Sequence, residues 1–256
     1  MNIFHLIFYQ PLLNILILFY QYLPGRDFGL AIVFLTILIK LLLYPITSQS
    51  LKSQKSLDGF QSKIREIQEK YKDSKEEQSK AMMEFYQKEK INPFSGCLPL
   101  LIQLPILIAL YQVTQKGLVA EEMVNLYSFV SQPGEINPYF LGILNLTQPN
   151  LILAFLAGIL QFIQTKMGAP QTSKTGKTAQ GEPRPSGRKE IPLNKFSQMM
   201  QKQMLYLFPF ITFLFLLRLP SAVGLYWLML TLLTIVQQYL IFKPYTKRSV
   251  SMGQKI

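Results

Sequence analysis

Few residues in this chain could do chemistry, and the most telling is a lysine in an apolar setting. Residues 28–48 read Phe-Gly-Leu-Ala-Ile-Val-Phe-Leu-Thr-Ile-Leu-Ile-Lys-Leu-Leu-Leu-Tyr-Pro-Ile-Thr-Ser. A run of about 20 such residues is the length of a helix that crosses a bilayer. Lys40 is its one charge and stands near its middle. A lysine there costs about 2.5–3.5 kcal/mol on the insertion scale, so an intramembrane cation marks a functional site by default. Snorkelling is the alternative, but the cytoplasmic end assigned below is about 12 Å away at 1.5 Å per residue, far for a lysine stem. Thr36, Lys40, Tyr44 and Thr47 recur at helical spacing on one face, whereas Ile32, Leu35, Leu38, Leu42 and Ile46 fall elsewhere. A polar stripe with a cation predicts the wall of a wet cavity inside a membrane protein; a satisfied structural lysine is the competing reading.

Other reactive types are scarce. The only histidine is His5, in an apolar N-terminal stretch, and Cys97 is alone, so neither a disulfide nor a Cys-rich metal site is expected. An intramembrane protease needs a Ser–His pair, an Asp pair or a metal site, and no Asp or Glu lies inside an apolar run. No phosphate-binding Gly-rich loop followed by Lys-Ser/Thr is present, so no nucleotide and no cofactor is expected. The chain reads as a non-enzyme.

The elements that position Lys40 are read from charge. With 49% apolar residues and several apolar runs, the chain is an all-α polytopic membrane protein. Of its 26 Lys and Arg, ten fall in residues 49–93, eight in 166–202 and four in 243–256. By the positive-inside rule these three segments, C-terminus included, are cytoplasmic. Segments 21–27 and 117–148, the latter with Glu121, Glu122 and Glu135, then lie outside.

In order, residues 1–27 predict an interfacial amphipathic helix or an extra span, with a polar stripe at Gln10, Asn14 and Gln21 and a break at Pro11. No basic n-region precedes it and no small-residue cleavage site follows, which argues against a cleaved signal peptide. Span 1 is 28–48. Residues 49–92 predict a cytoplasmic helical hairpin: Leu57, Phe60, Ile64, Ile67 and Tyr71 form a 3,4-spaced seam, and Asp73-Ser74 turns the chain. Spans 2 to 5 are assigned to 98–115, 149–167, 203–218 and 221–242. An extracytoplasmic segment, 116–148, and a disordered basic loop, 168–202, intervene, and 243–256 is a basic tail. Ala154, Ala157 and Gly158 give span 3 a small-residue face for close packing. Trp227, Thr231, Thr234 and Gln238 form a second partly polar stripe on span 5.

Four motifs, in order, resemble the YidC/Oxa/Alb family of membrane protein insertases. They are Thr36-Ile-Leu-Ile-Lys40 with Tyr44-Pro-Ile-Thr; Asn92-Pro93-Phe-Ser-Gly96-Cys97-Leu-Pro99 through Gln103-Leu-Pro105; Gln161-Phe-Ile-Gln164; and Leu219-Pro220-Ser221 through Tyr226-Trp227 with Gln237-Gln238. The resemblance covers nearly everything from Gly29 to Ile241. It implies a five-span core, a cytoplasmic hairpin and a hydrophilic groove open to cytoplasm and lipid. Carried over by position, Lys40, Thr36, Gln164 and Trp227 would line the groove, and Tyr44, Gln103, Gln161 and Thr231 complete the expected set. Lys40 stands where the family typically has arginine, keeping the charge but losing the planar donor fork. Residues 1–27 leave no room for the large periplasmic domain of some members.

The implied function is passage of short hydrophilic tails or loops through the groove, with release of apolar helices into lipid. The implied setting is the bacterial plasma (inner) membrane. Implied partners are nascent membrane-protein clients and the bilayer, with the ribosome (through hairpin, basic loop and tail) and the Sec translocon as further candidates. A small-solute or anion transporter or channel is the alternative. It is weakened by the absence of intramembrane carboxylates and of an internal repeat.

Overall fold

A computed structural model describes residues 2–89, 98–116, 120–169 and 193–253. Among the described residues the fold is all-α apart from one short hairpin of strands. After a π-helical turn, His5–Tyr9, the helices are α1 (Gln10–Tyr22), α2 (Phe28–Leu42), α3 (Tyr44–Gly59), α4 (Gln61–Lys70) and α5 (Lys75–Lys88). They continue as α6 (Leu98–Lys116), α7 (Leu151–Gly168), α8 (Leu193–Leu216) and α9 (Ser221–Gly253). Strands β1 (Tyr139–Phe140) and β2 (Leu144–Asn145) pair antiparallel between α6 and α7.

The expected straight span 28–48 is broken. α2 and Tyr44–Ser56 of α3 meet at 64°. Pro45 explains the break: it has no N–H for the i→i−4 ladder and its ring would strike the carbonyl of Leu41, yet it fits the first turn of a new helix. Lys40 therefore sits in the last turn of α2 rather than at the centre of a continuous helix.

By length and composition α6, α7 and Ser221–Lys243 of α9 can cross a membrane, and the bent α2–α3 pair counts as a fourth candidate. Span 4, expected at 203–218, falls on α8, whose apolar part is shorter. The apolar stretch of α8 is Leu205–Leu216, about 18 Å of helix at 1.5 Å per residue, against a hydrocarbon core of about 30 Å. α8 packs along α7, where Ala154 and Ala157 are buried and Gly158 admits Phe213 and the Pro209 carbonyl. A Cβ on Gly158 would lie 3.4 Å from Phe213 Cβ. The small-residue face expected on this helix is thus used for close packing.

The core is formed where α1, α2, α6, α7 and α9 meet, around Leu13, Leu16, Ile32, Leu35, Leu110 and Tyr226. Asp27 caps α2 by accepting from Leu30 N at 2.8 Å, and it also accepts from Leu141 N. Phe140 packs so closely on Gly29 that a Cβ there would fall 2.2 Å from its ring. The strand pair is thereby fastened to the start of α2.

α1 does not leave its polar stripe uncovered. Gln10 Nε2 and Asn14 Nδ2 both donate to Asn125 O at 3.1 Å, and Asn14 Oδ1 accepts from Tyr127 N at 2.6 Å. Gln21 donates to Ser131 O, and Tyr9 OH to Glu122 at 2.8 Å. The polarity read as facing a membrane surface is occupied by the segment after α6.

The hairpin has the expected turn. Ser74 caps α5 by accepting from Glu77 N at 3.3 Å, and Phe60 and Phe85 meet edge to face at 5.6 Å. The loop motif from Asn92 to Cys97 and the basic stretch 174–189 lie outside the described residues. The expected tail is helical through Gly253, as a continuation of α9.

Candidate functional site

α2, α3, α6, α7 and α9, with Leu205 and Phe208 of α8, line a half-open cavity of about 380 Å³. Five of its side chains define its chemistry. Lys40, half-buried in the last turn of α2, donates to Thr234 Oγ1 at 2.9 Å. Thr234 in turn donates to Leu230 O at 2.7 Å, so its hydroxyl hydrogen is committed and a lone pair faces the ammonium. Lys40 is the only charged side chain on the wall among the described residues. No acidic side chain among them pairs with it. Trp227 Nε1 donates to Gln161 Oε1 at 3.1 Å, joining α9 to α7. Gln103 donates to the buried Tyr226 hydroxyl at 2.6 Å, joining α6 to α9.

Of the eight groove residues expected from sequence, six line this cavity: Lys40, Gln103, Gln161, Gln164, Trp227 and Thr231. Thr36 and Tyr44 stand outside it. Thr36 is fully buried and donates to Ile32 O at 2.6 Å, within its own helix. Tyr44 follows the bend and its side chain is 46% exposed, because the turn at Leu43 breaks the 3.6-residue register that would have aligned it with Lys40.

The wall also holds Thr47 from the Lys40 stripe, Thr234 and Gln238 from the span-5 stripe, and Ser50, Gln54 and Gln237, which sequence reading did not place there. Thr47, Ser50 and Gln54 repeat at spacings of 3 and 4 along α3. That signal was available, but it lay at the start of a charged segment whose polarity looked ordinary. Gln237 Nε2 donates to Ser48 Oγ at 2.9 Å and Thr47 Oγ1 at 3.0 Å, holding α3 against α9 just past the bend.

A bundle of apolar helices around a cavity lined by apolar and polar side chains, with one lysine among them, is the architecture of an all-α polytopic membrane protein. The model of the family described as 60Kd inner membrane protein matches residues 18–248. The "Membrane protein insertase YidC" of Geobacter sulfurreducens is 32% identical over 247 residues, covering 96% of this chain and 38% of that protein. The protein of that name from Geobacter metallireducens is 34% identical over 236 residues, 91% of this chain and 36% of its own length. The one from Fusobacterium nucleatum is 32% identical over 217 residues, covering 85% of this chain and 87% of that protein. The chain belongs to the 60Kd inner membrane protein family, the YidC/Oxa/Alb group. It spans less than two-fifths of the two Geobacter relatives' length.

Proposed function

We propose that the chain is a membrane protein insertase. It takes short hydrophilic tails or loops of nascent membrane proteins into the cavity beside Lys40 and releases their apolar helices into lipid, without nucleotide hydrolysis. Family membership supports the activity. The observation that carries the role of the cavity is the state of Lys40, a cation inside an apolar bundle whose one partner among the described residues is the neutral hydroxyl of Thr234. An anionic group on a client has a charge to meet there.

The energetics fit this work. A client span of about 20 residues gains about 6–12 kcal/mol on entering lipid, whereas each charge drawn through the bilayer centre costs about 2.5–3.5 kcal/mol. A polar cavity shortens the dry path for those charges. The outer faces of α7 and α9 expose Ile152, Phe155, Ile159, Leu232, Val236 and Leu240. They offer an apolar track along which the client helix reaches lipid. Short, lightly charged tails pass and long, highly charged ones do not. In the proposed setting, the bacterial inner membrane, the C-terminus is cytoplasmic, and the hairpin and basic segments face the ribosome. The Sec translocon is a further candidate partner.

Purified protein in liposomes tests the reading. Client insertion without steady solute flux is expected; anion flux without insertion would replace it with a channel. Orientation is tested by introduced cysteines: those at Phe60, Gln180 and Val250 should be shielded from an impermeant outside reagent and one at Glu135 labelled. Labelling at 180 would overturn the topology.

A further inference from the structure

The cavity has two unlike sides. α3 and α9 line it mainly with hydroxyl and amide side chains, among them Thr47, Ser50, Thr231 and Thr234, and Lys40 stands beside them at the end of α2. α6 and α8 present Pro99, Leu100, Ile102, Leu205 and Phe208, and the one amide there, Gln103, is taken up by Tyr226. These two apolar sides do not close on each other: α6 packs against α1, α3 and α9, whereas α8 packs along α7. The flanks of the gap are apolar on the outside too, with Leu101 and Leu104 of α6 and Leu207 and Phe210 of α8 exposed. Such flanks, on a bundle of spanning helices, turn toward lipid rather than water.

The charge on the wall selects among amphiphiles. An ammonium has three N–H donors, and the partner of Lys40 among the described residues is the hydroxyl of Thr234. No acidic side chain among them lines the cavity. The anion at hand in a bilayer is the phosphate of a lipid. A zwitterionic head carries its own cation, which would meet Lys40 with no carboxylate nearby to receive it. A net-anionic head with hydroxyls brings no such cation, and its hydroxyls match the threonine-lined side. A cavity of about 380 Å³ is of small-molecule size. It takes a head group and leaves the chains to run out through the gap.

We propose that the cavity binds one anionic phospholipid of the bilayer, with its phosphate at Lys40 and its acyl chains passing between α6 and α8 along Leu100, Ile102, Leu205 and Phe208. The site goes beyond the insertase reading and does not depend on it. Where a client enters, its acidic tail takes the place of the lipid phosphate. Lys40 then exchanges one anion for another and is never left bare in the bilayer.

Trp227 is the one tryptophan of the chain and lines this cavity, so its fluorescence reports an occupant. The test places the full chain in phosphatidylcholine liposomes with rising fractions of a brominated lipid, either phosphatidylglycerol or phosphatidylcholine. Both carry the same bromines near the glycerol end of the chains, and bromine quenches tryptophan only at short range. Phosphatidylglycerol should reach half-quenching at an about fivefold lower fraction, the weight of one lysine against an anionic lipid. Lys40→Arg should keep that preference, and Lys40→Met and Lys40→Gln should both erase it. Millimolar glycerol 3-phosphate, which has the charge without the chains, should leave the quenching unchanged. Equal quenching of wild-type protein by the two lipids would overturn the proposal. So would a preference that survives in both neutral variants, since it would then belong to the basic segments around the bundle. Relief of quenching by glycerol 3-phosphate would make this a site for small anions and overturn it as well.

Discussion

Two polar regions lie within this apolar bundle, and they differ in how their polar groups are partnered. At the junction of α1 with the segment after α6, Asn14 makes three hydrogen bonds, to Gln10 O, Asn125 O and Tyr127 N. Gln10, Gln21 and Tyr9 each have a partner in residues 122–131. In the cavity wall, Lys40 bonds only a threonine hydroxyl, and Gln238 Oε1 has no partner among the described residues. A network in which each of these four side chains has a partner across the junction holds two parts of a chain together. A wall whose one cation lacks a counter-charge has an interaction left to make. Polarity alone does not separate structure from function in such a protein; partnering does.

The comparison predicts opposite consequences for the two regions. The largest stability effect belongs to Asn14→Leu. It leaves the Tyr127 N–H without its acceptor in a buried site, costing about 1–3 kcal/mol with further loss from the bonds to Gln10 and Asn125. Thermal unfolding in detergent should show a lowered Tm with insertion by the surviving fold unchanged. Next is Gln237→Leu, which removes the bonds from α9 to Thr47 and Ser48 on α3. About 1–2 kcal/mol is expected, as two neutral bonds are lost with the hydroxyls free to turn to the cavity. Smallest is Lys40→Met, which removes a cation without a counter-charge and should leave Tm unchanged or raise it slightly. A large drop in Tm for Lys40→Met would place Lys40 with Asn14, as a structural residue, and erase the contrast.

How much of this was readable beforehand depends on which interaction decides each residue. Lys40 was legible because a charge in an apolar run is costly whatever surrounds it. Three candidate spans, α6, α7 and Ser221–Lys243, followed from hydropathy, and the Ser74 cap from local chemistry. Thr36 and Tyr44 were set in one stripe with Lys40 because periodicity assumes a continuous helix. Pro45 carried the warning, but a proline near a span end can kink, start or stop a helix, and only the neighbours settle which. The stripe on α1 was seen as polar, but what it bonds was not legible. Its partners lie more than 100 residues on, in a segment with no periodic signal. The difference between Gln237 and Gln238 was invisible, since adjacent identical residues differ here only in what α3 presents to them.

The central claim is that the cavity takes client tails and that Lys40 attracts their negative charge. Its most direct measurement compares Lys40→Glu with wild type on two clients that share a helix but carry acidic or basic tails. Attraction turned to repulsion should slow the acidic-tailed client by about tenfold or more, a barrier increase of about 1.4 kcal/mol, while the basic-tailed client keeps or gains speed. Lys40→Arg should behave as wild type on both. Equal insertion of acidic tails by Lys40→Glu and wild type would contradict the account.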